Sequence, residues 1–383
     1  MSPRIAIDVS PLLDLSTGIG YYTANLVSQL IGLRRDFNWS YFAVPRRSEK
    51  EISFKIGAQE FRTIIKPWIL PARLTSLLLQ APFQPFLAVE NFIGPSDLFH
   101  WTNFLCLSQR RGKKILTVHD VSFFLFPEHH PLKRRLLFDS LFPRSLEQAH
   151  HIITDSQNTK NDLVQHFHVP PKKITTIYLG ADPTFAPVSQ QEATATLDRH
   201  GLRWKQYLLY VGTLEPRKNL VRLMRAYDLF RANYFRPLPL VLVGANGWLN
   251  QDLFMEIEKS SWKDDIKILG YVPKTDLSAL YSGSLAFVYP SLYEGFGLPP
   301  LEAMACGAPV ITSNNSSLPE VVGDAAILVD AYNADKIAEA MLLVATDPSI
   351  CGRLRQRGLE RAKCFDWRLT AERTLAVYEK ALG

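Results

Sequence analysis

The chain has 383 residues, and at ~150 residues per domain this predicts two or three domains. It is 47% hydrophobic and 21% charged, with 20 Gly and 25 Pro, which excludes a collagen-like, coiled-coil or largely disordered chain and supplies enough apolar surface for two cores. Lys and Arg number 43 against 37 Asp and Glu, a net charge of +6. Residues 1–183 hold 21 cations and 15 anions and residues 184–383 hold 22 of each, so the whole excess lies in the first half.

The N-terminus, Met1-Ser2-Pro3-Arg4, runs straight into a short apolar strand that contains Asp8, and no secretory signal is expected. Cys106, Cys306, Cys351 and Cys364 form no C-x-x-C pair, as in a chain kept in a reducing compartment. A cytoplasmic protein is expected. The basic clusters Arg34-Arg35, Arg46-Arg47, Arg110-Arg111 with Lys113-Lys114, and Lys133-Arg134-Arg135 read either as a solvated face or as attraction to anionic headgroups or a phosphorylated substrate. No nucleic-acid-binding signature accompanies them, and nucleic acid is not an expected partner. No apolar window reaches the ~18 residues of a membrane span. The nearest, Trp68–Val89, is broken by Arg73, two Gln and three Pro, and reads as a segment that could lie on a membrane surface.

In chain order, short apolar runs predict strands at Ile5–Val9, Tyr41–Val44, Leu98–Trp101, Ile115–His119, Ile152–Asp155 and Ile174–Leu179. After a polar stretch, Ala186–Glu192, the count restarts with Tyr207–Gly212, Leu240–Val243, Ile266–Leu269, Leu285–Tyr289, Pro309–Thr312 and Ala326–Val329. Most of the runs are continuous rather than alternating, as in parallel strands covered on both faces. Apolar residues at three- and four-residue spacing predict helices at Tyr21–Leu33, Lys133–Ala149, Leu220–Tyr234, Leu249–Trp262, Lys336–Ala345 and Thr370–Leu382. The alternation predicts an α/β chain of two Rossmann-like domains with a cleft between them, divided near 183–205, with ligands beyond the carboxyl ends of the strands.

Three motifs lie at such ends, and a fourth lies between the first strand and its helix, remote from the strand end at Val9. The first is Glu294-Gly295-Phe296-Gly297-Leu298-Pro299-Pro300-Leu301-Glu302. Its glycines allow close approach of backbone to a ligand, and a helix expected from Leu301, with Glu302 in its first turn, would offer N–H groups to an anion such as a diphosphate. Glu294 and Glu302 would flank that anion, and carboxylates suit the vicinal diols of sugars. The bland alternative is a Gly-Pro turn with a Glu that favours a helix start. The second motif is Gly212–Asn219, with the cations Arg217 and Lys218 at a strand-to-helix turn where phosphate oxygens would be neutralised, and Asn219 able to cap the next helix. A surface basic pair is the alternative. The third, Thr117-Val118-His119-Asp120, places a His at a strand end. It would be either a structural His or a donor to a sugar hydroxyl, with Asp120 orienting the ring or capping the next segment. The fourth, Ser16–Thr23, contains Gly18 and Gly20 in a G-x-G that lacks the third glycine of the dinucleotide fingerprint, and reads as a flexible loop near phosphate or acceptor. There is no D-x-D, P-loop or G-x-S-x-G string, and no metal is expected.

At Glu294–Glu302, taken with Arg217-Lys218, the sequence resembles the retaining glycosyltransferases of family 4, which have the GT-B fold. The resemblance extends over nearly the whole chain, through Gly18–Gly20, His119-Asp120, Gly212–Asn219 and Cys306–Val310 to Asp366-Trp367. It implies an acceptor domain at 1–183, a nucleotide-sugar domain at 184–365, and a last helix, 366–383, that returns to the first domain. It also implies that Arg217 and Lys218 bind the donor diphosphate, that Glu294 holds sugar hydroxyls, and that backbone N–H groups of Gly295, Phe296, Gly297 and Leu298 contact sugar and phosphate. Glu302 would bind the ribose diol, His119 would contact the sugar near the reacting carbon, Gly270-Tyr271-Val272 would line the base, and Gly212, Gly18 and Gly20 would lie near phosphate or acceptor. The run Thr117–Phe123 with Phe126-Pro127-Glu128 looks most like bacterial mannosyltransferases of surface polysaccharide assembly. This implies GDP-mannose as donor, with UDP-glucose, UDP-N-acetylglucosamine and dTDP-rhamnose open. The +6 charge of residues 1–183, with the Trp68–Val89 segment, points to a glycan or polyprenyl-diphosphate-linked glycan as acceptor at the inner membrane face. A sugar-nucleotide epimerase and a non-catalytic nucleotide-sugar-binding protein are the rival classes.

Overall fold

The structure is a computed structural model that describes residues 2–14, 17–43, 52–56, 59–63 and 88–383. The apolar segment expected at Trp68–Val89 lies outside the described residues except for Ala88 and Val89, and the Arg46-Arg47 cluster lies outside them altogether.

The first-half runs become β1 (Arg4–Asp8), β2 (Asn38–Phe42), β5 (Leu98–Trp101), β6 (Lys113–Val118), β7 (His151–Thr154) and β8 (Ile174–Thr176), after the hairpin strands β3 (Ile52–Ile56) and β4 (Gln59–Thr63). β3 and β4 pair antiparallel with each other. The other six form one parallel sheet in the order β2-β1-β5-β6-β7-β8. Second-half runs give β9 (Leu208–Val211), β10 (Leu240–Val243), β11 (Ile266–Gly270), β12 (Ala286–Tyr289), β13 (Val310–Ser313) and β14 (Ala326–Val329), all parallel, in the order β11-β10-β9-β12-β13-β14. That order is the doubly wound one, with its switch point between β9 and β12. β5, β9, β10, β12 and β13 are buried at every residue, which is why their runs are mainly apolar.

Met1–Val121, Lys133–Gly180 and Trp367–Gly383 make one compact unit, and Ser122–Leu132 with Ala181–Asp366 make the other. In the first, the helix Trp367–Leu382 packs on the helix Gly18–Leu33: the rings of Tyr21 and Trp367 meet edge to face at 5.9 Å, and Thr370 Oγ1 donates to Tyr178 O at 2.8 Å. In the second, the segment Ser122–Leu132 is seated by Trp248, whose Nε1 donates to His129 O at 2.6 Å, and by Phe126, 5.7 Å from the Tyr293 ring.

Two local expectations change. Gly18 and Gly20 are not a loop before a helix. They form the first turn of Gly18–Leu33, and Thr17 caps it by accepting from Gly20 N at 3.1 Å. The polar stretch read as a separator ends in the helix Gln190–Arg199, opened by a capping box in which Ser189 and Glu192 satisfy each other's backbone N–H.

Candidate active site

The loops after β9 and β12 leave the second sheet on either side of its switch point and are tied together. Leu292 N donates to Arg217 O at 2.9 Å, and Asn219 Nδ2 donates to Pro290 O at 2.9 Å and Ala331 O at 2.7 Å. Asn219 therefore does not cap the next helix with its side chain. It takes a left-handed conformation, φ +62°, and turns its amide onto the neighbouring loops.

This tie brings Lys218 and Glu294 together. Lys218 Nζ donates to Glu294 Oε1 at 2.6 Å and to Tyr289 Oη at 2.7 Å. The same Oε1 accepts from Ser291 Oγ at 2.6 Å and Tyr289 Oη at 2.9 Å. Glu294 Oε2 accepts from Arg217 Nη1 at 3.2 Å, and Arg217 Nη2 reaches Glu215 Oε1 at 2.7 Å. Glu215, Lys218 and Glu294 are all buried. Burial opposes the Glu294 charge, but Lys218, Arg217 and the Ser291 hydroxyl outweigh it and draw the carboxyl down to about 2. The Lys218 ammonium is drawn down by burial and by Arg217 beside it, with Glu294 and Glu215 acting against the shift. Two anions and two cations thus share one buried cluster, and Glu294 is ionised across the neutral range.

The rest of the nine-residue string differs from expectation in one respect. The helix spans Leu298–Ala305, so the prolines lie inside its first turn and Glu302 in its second. Of the first three helical residues only Leu298 has an N–H, so the terminus offers an anion fewer donors than a helix start without proline. Gly297 precedes it at φ +116°, where a Cβ would lie 3.0 Å from Leu318 Cδ2. Phe296 turns into the core against Phe365, and its carbonyl accepts from Ser317 Oγ at 2.6 Å, while Gly295 lies in the loop between Glu294 and Phe296. Glu302 accepts from Tyr281 Oη at 3.0 Å, and burial pushes its carboxyl up to about 7 against the pull of Tyr281 and Lys274. Glu302 and Glu294 therefore have separate partners and opposite shifts.

The strand ends beside this cluster are joined through glycine. Gly212 N donates to Val243 O and Gly244 N to Gly270 O, both at 2.8 Å. Beyond Gly270, Val272 is buried and Tyr271 is 70% exposed.

In the first unit, His119 leaves the end of β6 buried. Its Nδ1 lies 2.6 Å from Asp155 Oδ2 and its Nε2 lies 2.8 Å from Thr102 O. Asp155, not the adjacent Asp120, orients the ring. Both ring nitrogens already face protein oxygens, so a sugar hydroxyl could take Nε2–H only by sharing it with Thr102 or replacing it.

Glu215, Tyr289, Ser291, Gly244 and Asp155 had no assigned role in the sequence. The usable signal was the parallel order itself, which puts the residues following adjacent strands side by side. Among the described residues no cluster of three or more His, Cys, Asp or Glu could hold a metal ion, and no helix is long and apolar enough to cross a membrane.

Residues 16–185 match the family described as Glycosyltransferase Family 4, and residues 198–361 match Glycosyl transferases group 1. The chain is 34% identical to the O-antigen chain mannosyltransferase B of Escherichia coli over 98% of its own length and 99% of that protein's. It is 28% identical to the serotype-specific mannosyltransferase WbdA of Escherichia coli over 70% of its length, and the match spans 34% of that longer protein. Its fold matches that of a sucrose-phosphate synthase from Thermosynechococcus elongatus with a TM-score of 0.77, at 22% identity, over 99% of this chain and 98% of the other. With two parallel α/β units in the GT-B arrangement of strands and a full-length relative at this identity, the chain belongs to the family 4 glycosyltransferases.

Proposed function

We propose that the protein transfers a hexosyl group, mannose from GDP-mannose, to a hydroxyl of a surface glycan under assembly, with the anomeric configuration retained. The observation that carries this reading is the convergence of Arg217, Lys218 and Glu294 at the switch point of the second sheet. The full-length likeness to an O-antigen chain mannosyltransferase favours mannose and a glycan acceptor. The cationic excess of residues 1–183 suits an acceptor carried on a lipid diphosphate.

Donor binding is an exchange of partners. Diphosphate oxygens take the Arg217 and Lys218 donors, and sugar hydroxyls replace those donors on Glu294, so neither buried ion is left unpaired. Glu302 accepts the ribose hydroxyls, Gly270–Val272 line the base, and His119 contacts the donor sugar. In the bound state Glu294 is engaged by sugar hydroxyls away from the reacting carbon, which favours a route without a glycosyl-enzyme intermediate. The acceptor oxygen bonds to the anomeric carbon as the bond to the leaving phosphate oxygen breaks, on the same face, and that phosphate oxygen takes the acceptor proton. Catalysis is then positioning and charge stabilisation of the departing diphosphate.

A thermal-shift screen against GDP-mannose, UDP-glucose, UDP-N-acetylglucosamine and dTDP-rhamnose tests the donor, because a ligand that binds only the folded chain raises its melting temperature. The expected result is stabilisation by GDP-mannose, followed by glycan-linked mannose of unchanged anomeric configuration when a lipid-linked acceptor is added. Stabilisation by a uridine or thymidine sugar alone overturns the donor assignment. Consumption of donor to an epimer without acceptor, or binding with no turnover, overturns the transfer reading.

A further inference from the structure

We propose that Asp155 is a positioning residue of the transfer reaction, holding His119 as a doubly protonated imidazole in one orientation. This rests on the proposed contact of His119 with the donor sugar.

Val118 of β6 pairs with Thr154 of β7, so the next residues, His119 and Asp155, leave the sheet side by side. A carbonyl oxygen only accepts hydrogen bonds, so the contact with Thr102 O requires a proton on Nε2. Burial raises the pKa of Asp155 and the His119 ring beside it pulls it back down; in its ionised form the carboxylate only accepts, and the contact with Oδ2 then places a second proton on Nδ1. The Asp155 side chain is 4% exposed, and its Oδ1 is buried with no hydrogen-bond partner among the described residues. The imidazole is thus the carboxylate's hydrogen-bond partner, and a buried carboxylate stays ionised only beside a positive charge.

The titratable groups around the ring are Asp155, Asp120, Tyr22 and His100. Burial works against charge on the ring, but Asp155, the Thr102 carbonyl and Asp120 outweigh it and raise its pKa. His100 is held neutral, its own pKa pulled down to about 3 by burial and by His119. Tyr22 and Phe104 stand edge-on to the ring, with centroids at 4.9 and 5.4 Å, and confine its rotation. Asp155 therefore keeps a fixed, cationic Nε2–H donor at the end of β6.

The test uses the full chain with 15N-labelled histidine, with His119→Gln to assign the ring, and reads imidazole nitrogens by NMR beside the pH profile of mannose transfer. Both His119 nitrogens should be protonated at pH 7.5, above the ordinary value of ~6.5. Asp155→Asn should give a neutral ring and lower kcat roughly 10²-fold, with the donor KM nearly unchanged. Asp155→Glu should restore part of both. A neutral His119 in an active wild-type enzyme overturns the proposal alone, and so does an Asp155→Asn variant with unchanged ring signals and kcat. If Asp155→Asn does not fold, the wild-type ring signals and Asp155→Glu still decide. A charged ring in a chain that transfers no sugar from any donor overturns the transfer reading and, with it, the reaction role of Asp155, leaving only the pair.

Discussion

Lys218 Nζ and Glu294 Oε1 lie 2.6 Å apart although 76 positions separate them in the chain. The contact exists because β9 and β12 are neighbours in the sheet and each is followed at once by a charged loop. Ser291 and Tyr289 supply neutral hydrogen bonds to the pair, and Arg217 divides its guanidinium between Glu294 and Glu215.

Replacing either residue should therefore remove transfer. Lys218→Ala and Glu294→Ala are each expected to lower the rate of mannose transfer by ~10²–10³, the loss typical of one preorganised charged group. Each also leaves a buried ion short of a partner, a cost of about 3–5 kcal/mol, so turnover is to be compared at a temperature where circular dichroism reports both variants folded. Near-wild-type rates in either variant would remove the cluster from the reaction.

Glu302 gives a pH signature of opposite sign to an ordinary ion-paired carboxylate. Its carboxyl is raised from 4.5 to about 7, chiefly by burial. Between those values the native chain keeps a proton that the unfolded chain has released. The stabilisation is complete below the unfolded value and is lost as pH rises through the folded one. Denaturant midpoints should fall from pH 5 to pH 7.5 with a contribution of at most ~1.4 kcal/mol per pH unit, and Glu302→Gln should flatten that slope. Nucleotide affinity should run the other way, since the ionised carboxylate accepts both ribose hydroxyls. An identical slope in wild type and Glu302→Gln would place the titration elsewhere.

How much of this was written in the sequence depends on range. Leu98–Trp101, Leu240–Val243 and Ala326–Val329 are strands with the expected bounds; Leu240–Val243 is buried and apolar at every residue, while Leu98–Trp101 buries His100 within its run and Ala326–Val329 is only partly covered. The antiparallel pair Ile52–Ile56 and Gln59–Thr63 is not among the predicted strands, because its sequence mixes charged, polar and apolar residues as a two-stranded ribbon allows. Glu294 with Arg217-Lys218 was legible because all three follow predicted strands. Asp155 was not, because its pairing with His119 depends on which strands are neighbours, and the nearer Asp120 offered a local explanation. The sequence predicts a helix from Leu301, whereas the helix begins at Leu298 and takes both prolines into its first turn, where their missing N–H groups are not needed.

Two glycines at strand ends should respond unequally to substitution. A Cβ on Gly244 would lie 2.0 Å from Gly212 O and 2.6 Å from Gly212 C, both backbone atoms of the neighbouring loop, at φ +146°. Gly270, at φ +69°, has nothing within 4 Å of the corresponding position. Gly244→Ala is expected to cost more than about 3 kcal/mol in a denaturant titration, through overpacking added to backbone strain, and to displace the loop that carries Arg217 and Lys218. Gly270→Ala should cost only about 1–2 kcal/mol, the penalty of the left-handed conformation alone. Equal losses in the two variants would mean that the close approach of the Gly212 and Gly244 backbones relaxes without consequence.

The last helix should prove integral to the first unit rather than an appendage. Trp367 is buried against Tyr21 and Tyr22, and Tyr378 is buried with its hydroxyl on His100 Nδ1. Removing the indole leaves a cavity that packed neighbours fill only in part, so Trp367→Ala is expected to cost about 3–5 kcal/mol. Tyr378→Phe keeps the ring and strands His100 Nδ1 in the core, at about 1–3 kcal/mol. Because burial holds His100 neutral, with its pKa lowered to about 3, the Tyr378→Phe loss should be the same at pH 6 and pH 8, whereas a charged His100 would make it larger at pH 6. Guanidinium titrations at the two pH values measure both quantities. A Trp367→Ala loss below about 1 kcal/mol would mean that the helix Gly18–Leu33 holds its place without the C-terminal helix.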